Sequence, residues 1–272
     1  MRDHRFVLAV LLTALSPAGA GLGLAQSQPS GSTGAPPGRS LAERNERRLF
    51  QRFVEDAAIS TGGWIELQYR FDNLQDGTQH FLGPLVAFKI VNDFEGGLRF
   101  GWQDVNPDSG PNESGFSDID LYAKYRFPGN RSRTAVGGLV KLPKGDEEKG
   151  LGTGKEDFEV FFAWRADLDA VSIVANVAAR YNGNPEPPLP SSSNSALVGG
   201  GLLLPVSARE TFVIEATFET ERVEGATNDA RLTLGLQHRG RQRKGGLRGA
   251  VAIPLSDGAP DYQVIFGVYA TY

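Results

Sequence analysis

Polar and charged side chains recur at every second position in several segments of this chain, with apolar side chains between them. In the segment 64–71, for example, Glu66 and Arg70 alternate with Ile65, Leu67 and Tyr69. This period-two alternation indicates a β-strand with one polar and one apolar face. Because the polar face carries both acids and bases, it can form a network of ion pairs or line a path for a polar solute.

The same parity rule, applied along the chain, assigns a set of charged residues to the interior of a barrel. Arg or Lys on a lipid-facing position costs roughly 2 to 4 kcal/mol at mid-bilayer, so charge should keep to the inner parity. Ion pairing that stiffens the wall and a selectivity lining are both open interpretations. The predicted lumen-lining residues are Glu66, Arg70, Lys89, Glu95, Arg99, Asp118, Asp120, Lys124, Arg126, Lys141, Glu159, Arg165, Arg180, Glu215, Arg231 and Arg248.

The last segment, 260–272, shows the alternation most strictly. Tyr262, Val264, Phe266 and Val268 share one parity, and the chain stops on the aromatic Tyr272. A long apolar strand cannot remain an open edge, because its unpaired backbone groups would invite aggregation. In a membrane barrel the last strand pairs with the first, so we expect 64–71 and 261–272 to be hydrogen-bonded neighbours.

Alternation between these two ends predicts an all-β fold, a transmembrane antiparallel up-and-down β-barrel of about twelve strands. The connections after even-numbered strands are short, whereas most of those after odd-numbered strands are long and rich in Gly, Pro, Asn and Asp. This sorting is typical of outer-membrane barrels with periplasmic turns and extracellular loops. We therefore expect outer-membrane lipid as the surroundings and both termini in the periplasm. The predicted strands are 63–72, 80–91, 94–103, 116–127, 133–142, 156–166, 170–182, 195–206, 210–220, 229–239, 245–254 and 260–272.

The region before the barrel divides into three parts. Residues 1–25 have the basic start, apolar core and small residues of a secretory signal peptide. Residues 26–40 are rich in Ser, Gly and Pro and predict a disordered linker. In 41–59, Leu49, Phe50, Phe53, Val54 and Ala57 recur at helical spacing beneath a charged face, which predicts a short amphipathic helix. That helix could be a plug or docking element, or a lead-in that orders only against the barrel. The domains are thus 1–25, 26–62 and 63–272.

Composition narrows the classes of partner. Net charge is −4, which argues against a nucleic-acid partner, because basic charge is not concentrated on a phosphate-binding face. The chain has no Cys, so a disulfide and a thiolate metal site are excluded. We expect no cofactor and no metal site. The acidic stretches 104–120 and 145–148 lack the spacing of a calcium loop, and 152–154 lacks the helix that follows a phosphate loop.

Several segments resemble the outer-membrane family named for the meta pathway of phenol degradation. These are 117–127, the Lys-Leu-Pro to Gly-Thr-Gly segment 141–154, 256–262 and, more loosely, 91–95. The resemblance spans about 64–272 and implies a barrel that moves small, hydrophobic or aromatic compounds across the outer membrane. It also implies contact with the barrel-insertion machinery through the C-terminal strand, where Tyr272 replaces the more usual Phe.

Three functions from different classes follow. The first is a channel or transporter for passive passage of small molecules, with the loop 143–155 as a pore constriction carrying Lys144, Asp146, Glu147 and Lys149. The alternative is a structural or surface-interaction barrel that conducts nothing. The third is an outer-membrane hydrolase, which would need a Ser and a His together on the wall. Only His80 and His238 follow the signal peptide, and the predicted neighbours of His80 include no Ser, so we expect no catalytic residues.

Overall fold

The computed structural model describes residues 44–129, 131–168, 170–184, 191–241 and 244–272. The predicted signal peptide, the predicted linker and the first residues of the predicted helix lie outside these ranges. All regular structure in the described chain is β-strand apart from one short helical turn at 44–45. The strands are β1 (Gly63–Leu74), β2 (Gly77–Val91), β3 (Phe94–Arg99), β4 (Trp102–Pro107), β5 (Glu113–Phe116), β6 (Ile119–Phe127), β7 (Ser132–Leu142), β8 (Asp157–Asp167), β9 (Ser172–Tyr181), β10 (Ser195–Pro205), β11 (Glu210–Glu219), β12 (Asp229–Arg239), β13 (Gly245–Pro254) and β14 (Tyr262–Thr271).

The sheet closes on itself as a barrel. Strand β1 pairs with β2 on one side and with β14 on the other, and all pairings are antiparallel. The seam between β1 and β14 runs from Trp64 opposite Thr271 to Asn73 opposite Tyr262. Closure satisfies the backbone groups of what would otherwise be two apolar edges, which is required in lipid. The predicted pairing of the first and last strands is confirmed.

The fourteen strands make twelve crossings of the barrel wall, because two of the crossings are each interrupted and counted as two strands. β3 and β4 form one crossing broken at Phe100 and Gly101, and β5 and β6 form the next, broken at Ser117 and Asp118. The register shifts by one residue here, since Arg99 lies opposite Asp120 but Trp102 lies opposite Phe116. Backbone bonds bridge the break: Ser117 N donates to Gly101 O at 2.9 Å. The predicted count of twelve strands is confirmed, with this bulge as an addition.

The two faces of the wall differ in the predicted way. Outward-facing apolar side chains are 40 to 66 % exposed on many strands, whereas the charged side chains of the other parity are largely buried inside. An exposed apolar belt on a closed barrel is the surface that faces lipid. Representative outward residues are Ile65, Leu67, Leu82, Phe158, Val160, Phe162, Leu234, Leu236, Val251, Ile253, Phe266 and Val268.

Connection lengths distinguish the two ends of the barrel. At one end, which we call the turn end, strands are joined by short segments such as 92–93 and 206–209. At the other, the loop end, the segments 143–156 and 182–194 are much longer, although β1 and β2 are joined by only two residues. The predicted sorting of loops is confirmed.

The segment 44–62 is not the helix that its apolar spacing predicts. After the turn at 44–45 it continues as bends and turns without regular structure. It enters the barrel at the turn end, rises to about mid-height near Arg52 and returns to the turn end at Gly62, where β1 begins. Its backbone groups are bound by side chains of the wall, which removes the need for helical hydrogen bonds. No helix among the described residues has the length and apolar character needed to cross a bilayer.

Candidate functional site: a plugged lumen with a cavity above it

We call residues 44–62 the plug, because they fill the half of the lumen nearest the turn end. Side chains of the wall that face the plug, including Glu66, Lys124 and Glu215, are completely buried. A continuous water path through this half would leave such charged groups exposed. The barrel is therefore closed at the level of the plug in this structure.

A single carboxylate holds the highest part of the plug. Glu215 on β11 accepts hydrogen bonds from three consecutive backbone N–H groups, those of Phe50 at 2.7 Å, Gln51 at 2.9 Å and Arg52 at 2.7 Å. Hydrogen bonds to an ionised acceptor are stronger than neutral ones. The three bonds fix the backbone of the plug at this point, where a helix would leave its first N–H groups without partners.

A second attachment point is centred on Glu95 of β3. Its carboxylate contacts Arg48 Nη2 of the plug at 2.8 Å and Lys124 Nζ of the wall at 3.1 Å, and it accepts a bond from Ser60 N at 2.6 Å. All three charged side chains are fully buried. Lys124 in turn donates to the carbonyl of Val54 at 3.0 Å. One buried acid thus links both arms of the plug to two neighbouring strands.

Arg165 of β8 forms the third attachment. Its guanidinium contacts Asp56 Oδ2 of the plug at 2.8 Å and donates to the carbonyls of Arg44 and Arg47 at 2.8 and 3.0 Å. Burial raises the pKa of Asp56, but the positive charges of Arg165, Arg48 and Lys124 outweigh burial and hold that pKa below its ordinary value. Asp56 is therefore ionised at neutral pH and fully paired.

Apolar contacts between the plug and the wall add to these polar attachments. Leu49 and Phe50 pack with Val174, Leu203 and Val213 of the wall. Two wall glycines make room for them: a Cβ at Gly201 would lie 2.8 Å from a Leu49 methyl, and a Cβ at Gly235 would overlap the Phe50 ring. The Arg248 guanidinium lies 4.3 Å from the centre of the Phe50 ring and pairs with Glu66 at 3.0 Å. The wall around the plug is thus complementary to this segment in shape as well as in charge.

The predicted lumen-lining residues occupy three levels. Fully buried beside the plug are Glu66, Glu95, Lys124, Glu159, Arg165, Glu215 and Arg248; partly buried in the loop half are Arg70, Arg99, Asp118, Asp120, Lys141, Arg180 and Arg231; near the turn end are Arg126 and Lys89. Most have a partner of opposite charge, as Arg126 has in Asp93 and Arg231 in Asp229. Lys89 is exposed and lies opposite Glu95. Ion pairing therefore accounts for much of this lining, and its role in selectivity stays a prediction.

A cavity of about 320 Å³ lies above the plug in the loop half of the lumen. Its floor is the top of the plug, Phe50 to Glu55. One side is apolar, formed by Phe81, Leu85, Tyr122, Leu139 and Leu151. The remaining lining is polar and charged: Gln68, Arg70, Arg99, Gln103, Ser117, Asp118, Asp120, Lys141, Asp157, Arg180 and Arg222.

The loop 143–155 folds over this cavity. Asp118 Oδ1 accepts hydrogen bonds from the backbone of Lys144 at 3.0 Å and of Gly145 at 2.9 Å, and Leu151 is buried against the position of Gly115. Of the loop, only Leu151 lines the cavity. The four predicted constriction residues Lys144, Asp146, Glu147 and Lys149 are not among the cavity residues, and Asp146 pairs with Lys149 at the surface.

Among the buried charged residues of the wall that were not in the predicted set are Arg133, Asp157 and Asp167. Arg133 contacts Asn45 of the plug at 2.6 Å and pairs with Asp167, which also contacts Arg165 at 3.0 Å. Asp157 pairs with Lys141 at 2.8 Å. The alternation of the two faces would have predicted all three as inward-facing. Arg133 has the same parity as Lys141 on β7, and Asp157 and Asp167 have the same parity as Glu159 on β8. The charged plug residues could not be found in this way, because their segment lacks a period of two.

Neither histidine after the predicted signal peptide has the surroundings of a hydrolase. His80 Nδ1 lies 2.8 Å from the Tyr69 hydroxyl and its ring packs against Phe71. His238 Nδ1 lies 2.9 Å from Glu210 Oε1 near the turn end. Among the described residues, no cluster of three or more His, Asp or Glu side chains has the arrangement of a metal site.

The wall has no lateral opening along its described strands. Hydrogen-bonded pairing runs around the whole barrel, and the break between β5 and β6 is bridged by a backbone bond from Ser117 to Gly101. A hydrophobic solute that passes between the membrane and the lumen would need such an opening, with apolar side chains lining it. The described wall therefore favours entry through the mouth at the loop end.

Sequence comparison gives a partial match to a known family. The family described as "Putative MetA-pathway of phenol degradation" matches residues 67–195, from within β1 to the start of β10. This confirms the resemblance for that part of the barrel, whereas 196–272 lie outside the match. No curated protein matches the chain.

Solved structures with the same fold are outer-membrane channels and porins by their descriptions. The COG4313 outer membrane channel from Pseudomonas putida F1 aligns with a TM-score of 0.62 at 12 % identity, covering 79 % of this chain and 97 % of that one. The NanC porin aligns with a TM-score of 0.55 at 8 % identity, covering 76 % and 98 %, and the KdgM porin with 0.50 at 14 %, covering 76 % and 99 %. At these identities the likeness is one of fold.

Proposed function

We propose that the protein is an outer-membrane channel for the passive passage of small molecules, closed in this state by its own plug. The observation that carries the proposal is a closed barrel with an apolar exterior, a charged interior and a cavity above the plug at the loop end. The description of structures of the same fold as channels and porins supports it. In this arrangement the turn end and both termini face the periplasm, and β14 is the strand read by the insertion machinery.

The plug fits a closed channel better than a permanent filling, because much of its attachment is polar. Glu215, Lys124 and Arg165 bind backbone groups of the plug. Water can replace each of these bonds when the plug leaves, and the freed charges then line a hydrated pore. A purely apolar interface would leave no such hydrated alternative.

The second candidate is a structural barrel that conducts nothing. The observation that favours it is the complete burial of the charged pairs around the plug, among them Arg48 with Glu95 and Arg165 with Asp56. In that case the plug would be a fixed internal support, and the cavity above it would be a surface feature.

Planar-bilayer conductance separates the two candidates. The purified protein is compared with a variant lacking 144–154 and with one lacking the plug residues 44–59. We expect small, infrequent steps from the full protein and larger steps when the loop is removed, because Leu151 then no longer covers the mouth. The largest current is expected without the plug. Silence in all three, with each barrel shown to be folded by its heat-modifiable gel mobility, would exclude the channel.

A further inference from the structure

We propose that the cavity above the plug is a binding site for small aromatic carboxylates, with Arg70 as the residue that binds the carboxylate. The inference rests on the proposed channel function, since it names the class of permeant that the cavity would select. It concerns the loop half of the lumen, between the top of the plug and Leu151.

Arg70 has hydrogen-bonding capacity that the other cations of the wall around the cavity have largely used. Arg52 of the plug also lines the cavity, and it contacts Glu55 at 3.2 Å and Glu159 at 3.6 Å. Lys141 contacts Asp118 and Asp157, and Arg180 contacts Glu159 and Glu219. Arg99 makes two hydrogen bonds to Asp120, and Arg222 contacts Asp157 and Glu219. These cations and acids neutralise each other in place, so none of them is predisposed to bind a further anion.

Arg70, in contrast, contacts one acid at one edge only. Its Nε lies 3.0 Å from Asp72 Oδ2 but is buried without a hydrogen-bond partner in the described part of the chain. About a quarter of the side chain is exposed, and it lines the cavity. The guanidinium is a planar fork that binds a carboxylate through two parallel bonds, a geometry that a hydroxyl or an ammonium ion cannot match.

An apolar surface for a ring lies directly beside this guanidinium. Arg70 is the register partner of Phe81 on β2, and its guanidinium lies 5.4 Å from the centre of the Phe81 ring. Leu85 is on the same strand and the same face, and Tyr122 and Leu139 continue the apolar side on β6 and β7. An aromatic ring bound here would replace water on an apolar surface while its carboxylate reaches Arg70.

The volume of the cavity also fits this class. At about 320 Å³ it lies at the lower end of the range of small-molecule pockets, too small for an oligosaccharide and ample for a single substituted ring. Gln68 and Gln103 flank Arg70 and Phe81 and can bind a ring hydroxyl. The site thus combines the Arg70 guanidinium, one apolar side and two amides.

Calorimetric titration of the purified full barrel in detergent tests the site with three probes. Benzoate carries both features, benzyl alcohol carries the ring without the charge, and acetate carries the charge without the ring. We expect benzoate to bind at least tenfold more tightly than either of the other two. Arg70→Gln should weaken benzoate binding about tenfold or more, because a charge-assisted bidentate pair is lost, and leave benzyl alcohol unchanged. Phe81→Leu should weaken benzoate and leave acetate unchanged.

The matched control is Arg231→Gln. Arg231 is also an arginine on the inner face near the loop end, but it is paired with Asp229 and does not line the cavity. Equal losses in Arg70→Gln and Arg231→Gln would mean that only the general field of the lumen attracts benzoate, and would overturn the site. Equal affinity for benzoate and benzyl alcohol, or no binding of benzoate to the folded barrel, would overturn it as well. A barrel that conducts but does not bind benzoate would exclude the site and support the channel. A barrel that binds benzoate but never conducts would support the site and exclude the channel.

Discussion

Deleting residues 44–59 should convert a nearly silent barrel into an open pore, with single-channel conductance in planar bilayers rising at least severalfold. The segment fills the turn half of the lumen, and its removal leaves the wall intact, because β1 begins only at Gly63. The acids and bases that it covers, such as Glu95 and Arg165, then become hydrated instead of being left dry and unpaired. The barrel should therefore fold without the plug and show an unchanged heat-modifiable mobility.

The control for this deletion is Glu215→Gln, which keeps the size of the side chain. Its single amide oxygen can replace only one of the two carboxylate oxygens, so either the bonds from Phe50 and Gln51 or the bond from Arg52 is lost, and the remaining bonds are weaker. We expect more frequent openings of the same size as those of the deletion variant. A conductance of the full protein equal to that of the deletion variant would show that the plug does not close the pore.

Replacing Glu95 with Ala should lower the free energy of unfolding by about 3 to 5 kcal/mol, the usual cost of removing one member of a buried ion pair. Arg48 and Lys124 would both lose their contact with this carboxylate while remaining fully buried. The backbone N–H of Ser60 would lose its acceptor at the same time. Urea unfolding of the barrel in lipid vesicles, followed by tryptophan fluorescence, measures the change.

Asp229→Ala is the matched control for this prediction. Asp229 pairs with Arg231, but both side chains are partly exposed, so its loss should cost less than about 1 kcal/mol. In the protein without residues 44–59 the cost of Glu95→Ala should also fall, because Arg48 is absent and water reaches Lys124. An equal cost with and without the plug would show that Glu95 supports the wall alone.

The barrel could be predicted from the sequence because one face of each strand meets lipid and the other does not. A single charge on the wrong parity is costly in the membrane, so the alternation is kept along the chain, as Glu66 and Arg70 show. The closing seam followed from the same reasoning, since the apolar strand ending at Tyr272 needs a partner. The bulge at Ser117 and Asp118 could not be predicted in this way, because one extra residue only exchanges the faces beyond it.

The plug could be located only as a segment with apolar spacing, and its conformation was predicted wrongly. Leu49, Phe50 and Phe53 do face the interior, as an amphipathic segment requires. The backbone between them, however, is bound by Glu215, which lies more than 160 residues away along the chain. Helical spacing predicts a helix only when the backbone bonds to itself, and partners supplied by a distant wall remove that condition.

The cavity could not be predicted from the sequence for a related reason. Charges on the inner parity could be named, but which of them neutralise each other depends on neighbours across several strands. Arg99 and Arg70 look alike in the sequence, yet only Arg99 lies opposite an acid, Asp120. Leu151 is an apolar residue in a polar loop, and nothing in its neighbours shows that it turns inward.

The distribution of the partners of the plug has a consequence for biogenesis. Glu95, Arg165, Glu215 and Arg248 belong to four strands spread around the ring, and the residue next to the plug, Gly63, bonds to Tyr272 across the seam. The complete wall surface that binds the plug therefore forms only after the last strand has been added and the barrel has closed. The plug precedes the barrel in the chain but is thus the last part to reach its final position, and its resistance to added protease would report that assembly has finished.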